Sequence, residues 1–373
     1  MRIALISRRF DPGGGGTERD LMITAEILAR AGHELRIYAN ELRAPSPPWR
    51  VRRVGGPPLG RALGLWWFAN VAGRAARREG ADLVLSFARI VDADILRSGG
   101  AAHSSYVRAA RRWQSGSAAA AMRLSPYHRV QIAIERRGYA SAHLKKALAV
   151  SNLVRADLVA TFALDPAAAV TIYNGVDLER FRPAADHALR ALVRSELSIP
   201  AGAPAIAFVG NGFARKGLRF LIEAWPALDP AAWLVVAGTD RAAARYQQQA
   251  HRLGLGDRVR FLGAHARVDR LFAAVDALAL PSLFEPFGNV LMEAMAAGLP
   301  VLASAACGAA ETLPRELREF IVADPADVAE LGARINALLA ARGGRLGAIA
   351  RATAEQFTWD RYGTELLGLI AAL

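Results

Sequence analysis

Two glutamates, Glu285 and Glu293, lie eight positions apart in a segment of mostly small and apolar residues. The segment reads EPFGNVLMEAMAAGLPVLAS from residue 285 to residue 304 and follows the apolar run ALALPS. A proline and a glycine break the chain after Glu285, and residues 289–297 have helical composition. The pattern predicts a strand, a turn that carries Glu285, and a helix with Glu293 on its second turn.

The start of this helix is suited to binding an anion. The first N–H groups of a helix have no partner within it, so Gly288, Asn289 and Val290 are expected to present backbone donors. A carboxylate accepts hydrogen bonds from two neighbouring sugar hydroxyls at once. We therefore expect the two glutamates to face different parts of one elongated ligand. A solvated helix face is the alternative, which the small and apolar neighbours disfavour.

A second loop, AFVGNGFARKG at 207–217, places two cations after an apolar run. Gly210 ends that run, and Arg215 and Lys216 precede the next helical stretch. Because charge-assisted hydrogen bonds are strong, this loop can cradle a diphosphate. It is not a P-loop, since the G-x-x-x-x-G-K-[ST] spacing is absent. The alternative reading is a pair of surface cations.

A third loop, FDPGGGGTERD, follows the first apolar run of the chain. Its glycines, which include Gly15 and Gly16, permit close approach of the backbone to a ligand and positive φ angles. Thr17 is expected to cap the following helix. The dinucleotide fingerprint G-x-G-x-x-G fails in both registers, which disfavours NAD. A flexible turn is the alternative.

Short β-rich runs alternate with Ala- and Leu-rich helical stretches, which predicts an α/β fold of parallel sheets covered by helices. The predicted strands are 2–7, 33–39, 51–54, 82–87, 93–98, 146–151 and 169–174, then 203–210, 232–238, 259–263, 277–282, 300–304 and 319–324. Pro183, Pro200 and Pro204 interrupt the chain between the two sets of strands, which predicts a junction near residues 175–185 between two doubly wound, Rossmann-like domains. We place them at residues 1–178 and 179–354, with an amphipathic helix at 355–373 packing back on the first. The three loops then lie at carboxyl ends of strands, where such folds bind ligands.

Composition restricts the remaining choices. The chain has 373 residues, a formal net charge of +13 and one cysteine, so it has neither an intrachain disulfide nor a cysteine-built metal site. Its first apolar run is too short for a signal peptide, and no apolar run is long enough to span a bilayer. The only D-x-D pattern, Asp92-Ala93-Asp94, opens an apparent strand, which argues against a metal site. We expect a soluble or peripheral protein in a reducing compartment.

Basic and aromatic residues are interleaved in two segments, 61–78 and 103–146. Basic residues near an anionic leaflet contribute about 1 kcal/mol each, so these segments are candidates for membrane attachment. One alternative is tryptophans in the core with arginines on a solvated helix face. Nucleic acid is disfavoured because no RRM-like or KH-like signature is present. Residues 115–126, SGSAAAAMRLSP, are expected to be flexible.

Four features in order resemble the retaining GT-B glycosyltransferases of family 4: the glycine loop, VSN…VTIYNGVDLERFRP at 150–183, VGNGFARKG, and the Glu285/Glu293 pair. Within that family, the chain is most similar in style to the lipopolysaccharide core glucosyltransferases of the WaaG type, over nearly its whole length. The resemblance implies two domains that face a central cleft. It implies transfer of a hexose, glucose, from UDP-glucose to a lipopolysaccharide-core or other lipid-linked acceptor. A soluble acceptor, a nucleotide-sugar epimerase and a non-catalytic membrane-binding module remain alternatives.

The resemblance also implies roles for individual residues. Arg215 and Lys216 would bind the donor diphosphate, Glu285 the transferred sugar and Glu293 the nucleotide ribose, while His103 would lie near the sugar. The other implied donor-binding residues are Gly15, Gly16, Gly210, Phe287, Gly288, Asn289 and Val290. Neither a cofactor nor a metal is expected, because protein cations offset the charge on the diphosphate. The implied protein is a monomer without nucleic-acid partners, peripheral at the inner face of the cytoplasmic membrane.

Overall fold

The computed structural model describes the chain except for residues 12–13, 44–48, 57–59 and 185–186. The chain forms two compact units. The first contains Met1–Asn174 and Trp359–Leu373, and the second contains Gly175–Thr358. The chain thus passes from the first unit to the second after Asn174, four residues before the predicted boundary. The reason is that Val176 donates a backbone hydrogen bond to Phe357 and bridges Thr358, so both connecting segments belong to the second unit.

The first unit contains a parallel sheet of seven strands within the described residues. The strands are β1 (Arg2–Phe10), β2 (Glu34–Leu42), β3 (Arg50–Arg53), β4 (Leu83–Ser86), β5 (Ile95–Ser98), β6 (Lys146–Ala149) and β7 (Ala169–Thr171). They are ordered β3-β2-β1-β4-β5-β6-β7, so the sheet is doubly wound with its switch point between β1 and β4. Every strand predicted in this half is present, and the observed strands begin and end within a few residues of the predicted bounds.

Helices cover this sheet and bury its apolar side chains. They are α1 (Gly16–Arg30), α2 (Gly60–Arg78), α3 (His103–Ala109), α4 (Gly116–Leu124), α5 (Pro126–Tyr139) and α6 (Asn152–Phe162), with a 3-10 turn at Ala110–Arg112. The prediction of a flexible segment at 115–126 is wrong, because α4 occupies most of it. Ser115 caps that helix by accepting a hydrogen bond from the N–H of Ala118, and the alanine run that follows has high helix propensity.

The second unit contains a parallel sheet of six strands within its described residues. The strands are β8 (Ala205–Val209), β9 (Trp233–Ala237), β10 (Val259–Gly263), β11 (Ala277–Leu280), β12 (Val301–Ser304) and β13 (Ile321–Val322). The order β10-β9-β8-β11-β12-β13 places the switch point between β8 and β11. The second unit is therefore also an α/β domain with a doubly wound parallel sheet, as predicted.

Eight α-helices accompany this sheet in the described part of the unit. They are α7 (His187–Glu196), α8 (Leu218–Ala224), α9 (Ala243–Arg252), α10 (Val268–Ala274), α11 (Asn289–Ala296), α12 (Arg315–Arg318), α13 (Val328–Ala340) and α14 (Leu346–Ala354). Short 3-10 turns lie at Trp225–Ala227, Gly256–Arg258 and Gly308–Thr312. Among the described helices of the whole chain, none combines the length and the low charge needed to cross a bilayer.

The last helix, α15 (Trp359–Ala371), completes the core of the first unit. Tyr362, Leu366 and Ile370 are buried in the same cluster as apolar residues of the sheet. The hydroxyl of Tyr362 lies 2.9 Å from that of Thr24 on α1. Gly363 faces Ile27 on the same helix, where a larger side chain would be crowded. The sequence prediction that the terminal helix packs on the first domain agrees with these contacts.

Candidate active site

The switch point of the second sheet brings two of the predicted loops together. β8 and β11 are neighbours, with Ile206 paired to Ala277 and Ala207 to Leu278. The loop after β8 carries Arg215 and Lys216, and the loop after β11 carries Glu285. Because parallel strands end at the same edge of the sheet, residues far apart in sequence meet there.

Glu285 joins the two cations in one cluster. Its Oε2 atom accepts from Nζ of Lys216 at 2.6 Å and from Nη1 of Arg215 at 3.1 Å. The same Nη1 atom donates to the carbonyl of Phe284 at 2.5 Å. All three side chains are largely buried, with 12% of the Glu285 side chain and 9% of the Lys216 side chain exposed. The cluster therefore combines two positive charges with one negative charge.

The charges of this cluster stabilise one another. Burial acts to raise the pKa of Glu285, but Lys216 and Arg215 outweigh it and hold the pKa below its usual value. Glu285 is therefore ionised at neutral pH. With two cations and one carboxylate, the cluster keeps positive charge available for a second anion.

Glycines allow this close packing. Gly210 directly follows β8 and has a φ of +142°, and a Cβ atom there would collide with the side chain of Lys216. Gly217, with φ of +79°, lies against the carbonyl of Pro281, and a Cβ atom would collide with that oxygen. Gly210 therefore leaves the space through which Lys216 reaches Glu285.

The loop around Glu285 is held by a neighbouring segment that the sequence reasoning missed. The backbone N–H of Glu285 donates to Ala306 and its carbonyl accepts from Gly308. The carbonyl of Phe287 accepts from the N–H of Ala309 at 2.8 Å and from the Cys307 thiol at 3.0 Å. The single cysteine thus has a structural role, and burial raises its pKa to about 12, so the thiol stays protonated.

Helix α11 begins where the sequence predicted. Gly288 is its N-cap with φ of +101°, a conformation that glycine adopts without steric cost. Asn289 and Val290 form the first turn, and Glu293 lies on the second turn and is buried. The predicted order of turn, helix start and second glutamate is present, whereas a role for Glu293 on a ribose stays a prediction.

His103 is buried at the start of α3, in the first unit. Its Nε2 atom lies 2.8 Å from Nδ1 of His128, and the two rings are stacked. Its backbone N–H donates to Glu135, whose other oxygen accepts from Arg89 at 2.5 Å. Burial, with Arg89 and His128 nearby, lowers the pKa of His103 to about 3, so the ring is neutral at physiological pH.

The glycine loop differs in one detail from the sequence prediction. Helix α1 begins at Gly16 with Gly15 as its N-cap, so Thr17 lies inside the helix and does not cap it. Neither Gly15 nor Gly16 has a positive φ angle. Glycine is tolerated at an N-cap without a side-chain acceptor, which lets the helix begin before Thr17.

The D-x-D pattern has a structural role. Asp92 accepts from Nε of Arg77 at 2.8 Å, and Asp94 lies 3.2 Å from Nη2 of the same arginine. Asp94 also accepts the N–H of Val84 on β4. In the part of the chain that the structure describes, no group of three or more histidine, cysteine or acidic side chains is arranged to hold a metal ion.

The structure thus assembles the predicted site residues in two groups. The second unit holds Gly210, Arg215, Lys216, Glu285, Phe287, Gly288, Asn289, Val290 and Glu293. The first unit holds Gly15, Gly16 and His103. Sequence reasoning missed His128, Glu135 and Arg89 around His103, because their helices and loops meet only in the folded chain.

Two family models match this chain in succession. The model described as Glycosyltransferase Family 4 matches residues 14–180, and the model described as Glycosyl transferases group 1 matches residues 190–355. Together they span both units and nearly the whole sequence.

Curated relatives carry glycosyltransferase names. A D-inositol 3-phosphate glycosyltransferase of Salinispora tropica is 29% identical over 98% of this chain and 84% of that protein. The lipopolysaccharide glucosyltransferase WaaG of Escherichia coli is 25% identical over 87% of this chain and 86% of that protein. A D-inositol 3-phosphate glycosyltransferase of Mycobacterium marinum is 34% identical over 56% of this chain. The chain spans about half the length of that protein, 46%, and of several further relatives with the same name.

Solved structures share the fold. The crystal structure of WaaG, a glycosyltransferase involved in lipopolysaccharide biosynthesis, has a TM-score of 0.82 at 23% identity and covers 99% of both chains. The structure of HepE from Anabaena in complex with UDP-glucose has a TM-score of 0.75 at 20% identity over the whole of both chains. At these identities the likeness shows the architecture of two Rossmann-like domains.

Proposed function

This chain belongs to the GT-B glycosyltransferases, with a family 4 domain followed by a group 1 domain, and from that premise we propose its reaction. It transfers glucose from UDP-glucose, with retention of anomeric configuration, to a lipid-linked glycan of the lipopolysaccharide-core type. The observation that carries the proposal is the cluster of Glu285, Lys216 and Arg215 at the sheet switch point. The names of WaaG and of the UDP-glucose complex of HepE support the choice of donor and acceptor class.

The chemistry follows from the charges of this cluster. A glycosyl transition state resembles an oxocarbenium ion, while negative charge accumulates on the departing diphosphate. Lys216 and Arg215 are positioned to receive that charge, which stabilises the transition state more than the ground state. Glu285 accepts hydrogen bonds from the sugar hydroxyls. Because protein cations supply this charge, we propose that no metal is needed.

The donor is tested by calorimetry and turnover. We expect UDP-glucose to bind more tightly than GDP-glucose or ADP-glucose, and we expect chelation of divalent metals to leave turnover unchanged. Incubation of UDP-glucose alone, followed by NMR, separates a transferase from an epimerase, because only the epimerase converts the sugar without an acceptor. A chain that binds none of these donors would contradict the proposal.

We propose further that the protein is a monomer that attaches peripherally to the inner face of the cytoplasmic membrane. On α2, Leu63 and Trp67 are exposed on the same helix face as Arg74 and Arg78. The neighbouring Trp66 is 45% exposed. An apolar stripe followed by cations is the pattern of interfacial helices.

Helix α5 adds a second basic face. Arg129, Arg136 and Arg137 are exposed around a shallow apolar depression, and the opposite face of the helix is buried. Within the described residues, no carboxylate forms an ion pair with these three arginines or with Arg74 and Arg78 of α2.

Vesicle co-sedimentation tests this attachment. With anionic vesicles in low salt, we expect Trp66→Ser together with Trp67→Ser to reduce binding about tenfold, because interfacial aromatic contacts are lost. Leu192→Ser, at a similarly exposed position on α7, is the matched control and is expected to bind like the wild type. Equal binding of the tryptophan variant and the control would assign these tryptophans to ordinary surface.

A further inference from the structure

The first unit contains a cavity of about 710 Å³ at the switch point of its own sheet. Residues at the carboxyl ends of β1 and β4 form its floor, and helices α2 and α5 form two of its walls. Its volume is in the range of ligand pockets. The lining includes five arginines and two glutamates: Arg8, Arg9, Arg43, Arg61, Arg89, Glu18 and Glu41.

The acidic side chains neutralise only part of this positive charge. Arg9 lies 3.5 Å from Glu41 and 3.9 Å from Glu18, so it shares both lining carboxylates. Arg89 pairs with Glu135. Arg8, Arg43 and Arg61 form no ion pair with any carboxylate within the described residues. The cavity therefore has an uncompensated positive charge.

One tyrosine holds two of these cations near each other. Nη1 of Arg8 donates to the hydroxyl of Tyr127 at 3.2 Å. The guanidinium of Arg61 lies over the ring of the same tyrosine, 4.9 Å from its centroid. Two guanidinium groups that contact one neutral side chain repel each other, and an anion between them would offset that repulsion.

We propose that this cavity binds the acceptor and that the acceptor carries a phosphate group, held by Arg8 and Arg61 with Arg43 beside them. The proposal rests on the transferase function above and specifies its acceptor. Two or three uncompensated guanidinium groups match the charge and the several oxygens of a phosphate better than a single carboxylate. Glu41, Gln131 and Ser7 also line the cavity and offer acceptors for hydroxyl groups of a glycan or polyol.

Calorimetry with phosphorylated probes tests the cavity. Saturating UDP is present throughout, so that the probes do not occupy the donor site. The soluble probes are inositol phosphate and inositol. The membrane probes are vesicles that contain a phosphorylated glycolipid or its dephosphorylated form. We expect the phosphorylated member of at least one pair to bind at least tenfold more tightly. The pair that shows this preference identifies the acceptor as soluble or lipid-linked.

Variants assign the preference to the cavity. We expect Arg61→Gln to abolish most of it, and Tyr127→Phe to reduce it less, because the ring that supports Arg61 remains. Arg30→Gln is the matched control: it removes the same charge from the same unit, at an exposed position of α1 that lies outside the cavity and outside the two basic segments. It is expected to bind like the wild type. Equal binding of phosphorylated and unphosphorylated probes, or equal losses in Arg61→Gln and Arg30→Gln, would overturn the proposal.

The same experiment separates this inference from the proposed function. UDP-glucose affinity is measured for each variant and is expected to be unchanged, since the donor cluster lies in the other unit. If the wild type binds UDP-glucose but prefers neither phosphorylated probe, the transferase stands and the acceptor assignment fails. If it binds a phosphorylated probe but no nucleotide sugar, the transferase proposal fails.

Discussion

At the scale of single residues, the central feature is a carboxylate that shares two cations. Glu285 is ionised because Lys216 and Arg215 hold its pKa down against the effect of burial. The carboxylate also withdraws part of their positive field from any phosphate that arrives. Its charge is therefore expected to have opposite effects on nucleotide binding and on sugar transfer.

Glu285→Gln tests this opposition. The amide keeps the size of the side chain but removes the charge that competes with phosphate for Lys216 and Arg215. We expect UDP to bind as tightly as in the wild type or more tightly by calorimetry, while turnover falls about 100-fold because sugar contacts weaken. Lys216→Met is the comparison and should weaken UDP binding. Weaker UDP binding in both variants would mean that Glu285 acts by organising the cations.

His103 gives a prediction about pH. The folded chain keeps its pKa at about 3, whereas an unfolded histidine titrates near 6.5. The unfolded state therefore binds more protons in this window, so this contribution to stability is complete above pH 6.5 and is lost as pH falls toward 3. We expect the stability difference between wild type and His103→Gln, from urea unfolding, to shrink between pH 7.5 and pH 5.5.

The control for this prediction is His143→Gln, an exposed histidine in the same unit. The two variants are unfolded side by side, and only the change that is specific to His103→Gln is assigned to burial of its ring. Glu135 has a raised pKa and the opposite pH dependence, but it is present in both proteins and largely cancels from the comparison. A pH-independent difference for His103→Gln would show that its ring is not held neutral by the fold.

Sequence predicted the cluster of Glu285, Lys216 and Arg215 better than the surroundings of His103. Glu285, Lys216 and Arg215 lie in loops after predicted strands, and the rule for parallel sheets brings such loops together. His128 and Glu135 lie on a helix whose orientation depends on packing, with Ile134 against Leu65 and Ala69. Linear spacing does not contain that information, so the contacts of His103 could be found only in the folded chain.

At the scale of elements, strands were predictable and the starts of helices less so. All thirteen described strands correspond to predicted ones, because buried parallel strands read as short apolar runs. The start of α1 was misplaced because Gly15, which offers no side-chain acceptor, takes the cap position. Helix α4 was missed because SGSAAAAM combines turn-forming residues with helix formers, and the serine acts as a cap.

The loop after β8 gives a prediction at this scale. Gly210→Ala introduces a methyl group against Lys216 and is expected to displace the ammonium group, which weakens UDP-glucose binding about tenfold or more. Gly212→Ala is the matched control, since Gly212 also has a positive φ, +76°, but no atom lies near its added methyl group. If both variants bind the donor equally, the backbone and not the position of Lys216 controls affinity.

At the scale of the whole molecule, sequence order and spatial organisation differ. Residues 359–373 belong to the first unit although they follow the second along the chain. Arg97 fixes Asn174, the residue at which the chain first leaves this unit, by donating a hydrogen bond to it at 2.7 Å. Arg97 also donates to Asp20 at 2.8 Å. Periodicity predicted a terminal amphipathic helix, but its burial among Ile27, Leu28 and the strands of the first sheet is a property of the folded core.

Leu366→Ala tests this organisation. Leu366 is fully buried in the first core, and its truncation is expected to destabilise that unit by about 2–5 kcal/mol. Amide hydrogen exchange in denaturant should show faster opening of β1 and β4 with little change in β8 and β11. Leu338→Ala, buried on α13, should give the reverse pattern. Equal changes in both sheets would show that the units unfold together.

The position of α15 also determines the order in which the nascent chain can mature. A ribosome produces the first 174 residues early, but these residues lack Tyr362, Leu366 and Ile370 until translation has passed the entire second unit. The apolar surface that α15 covers in the first unit is therefore exposed until the end of translation. The second unit, in contrast, is complete once residue 358 has been synthesised. We therefore expect the second unit to complete its folding before the first, the reverse of the usual N-terminal-first order. A stop codon before residue 359 is expected to destabilise the first unit, because it removes part of that unit's core.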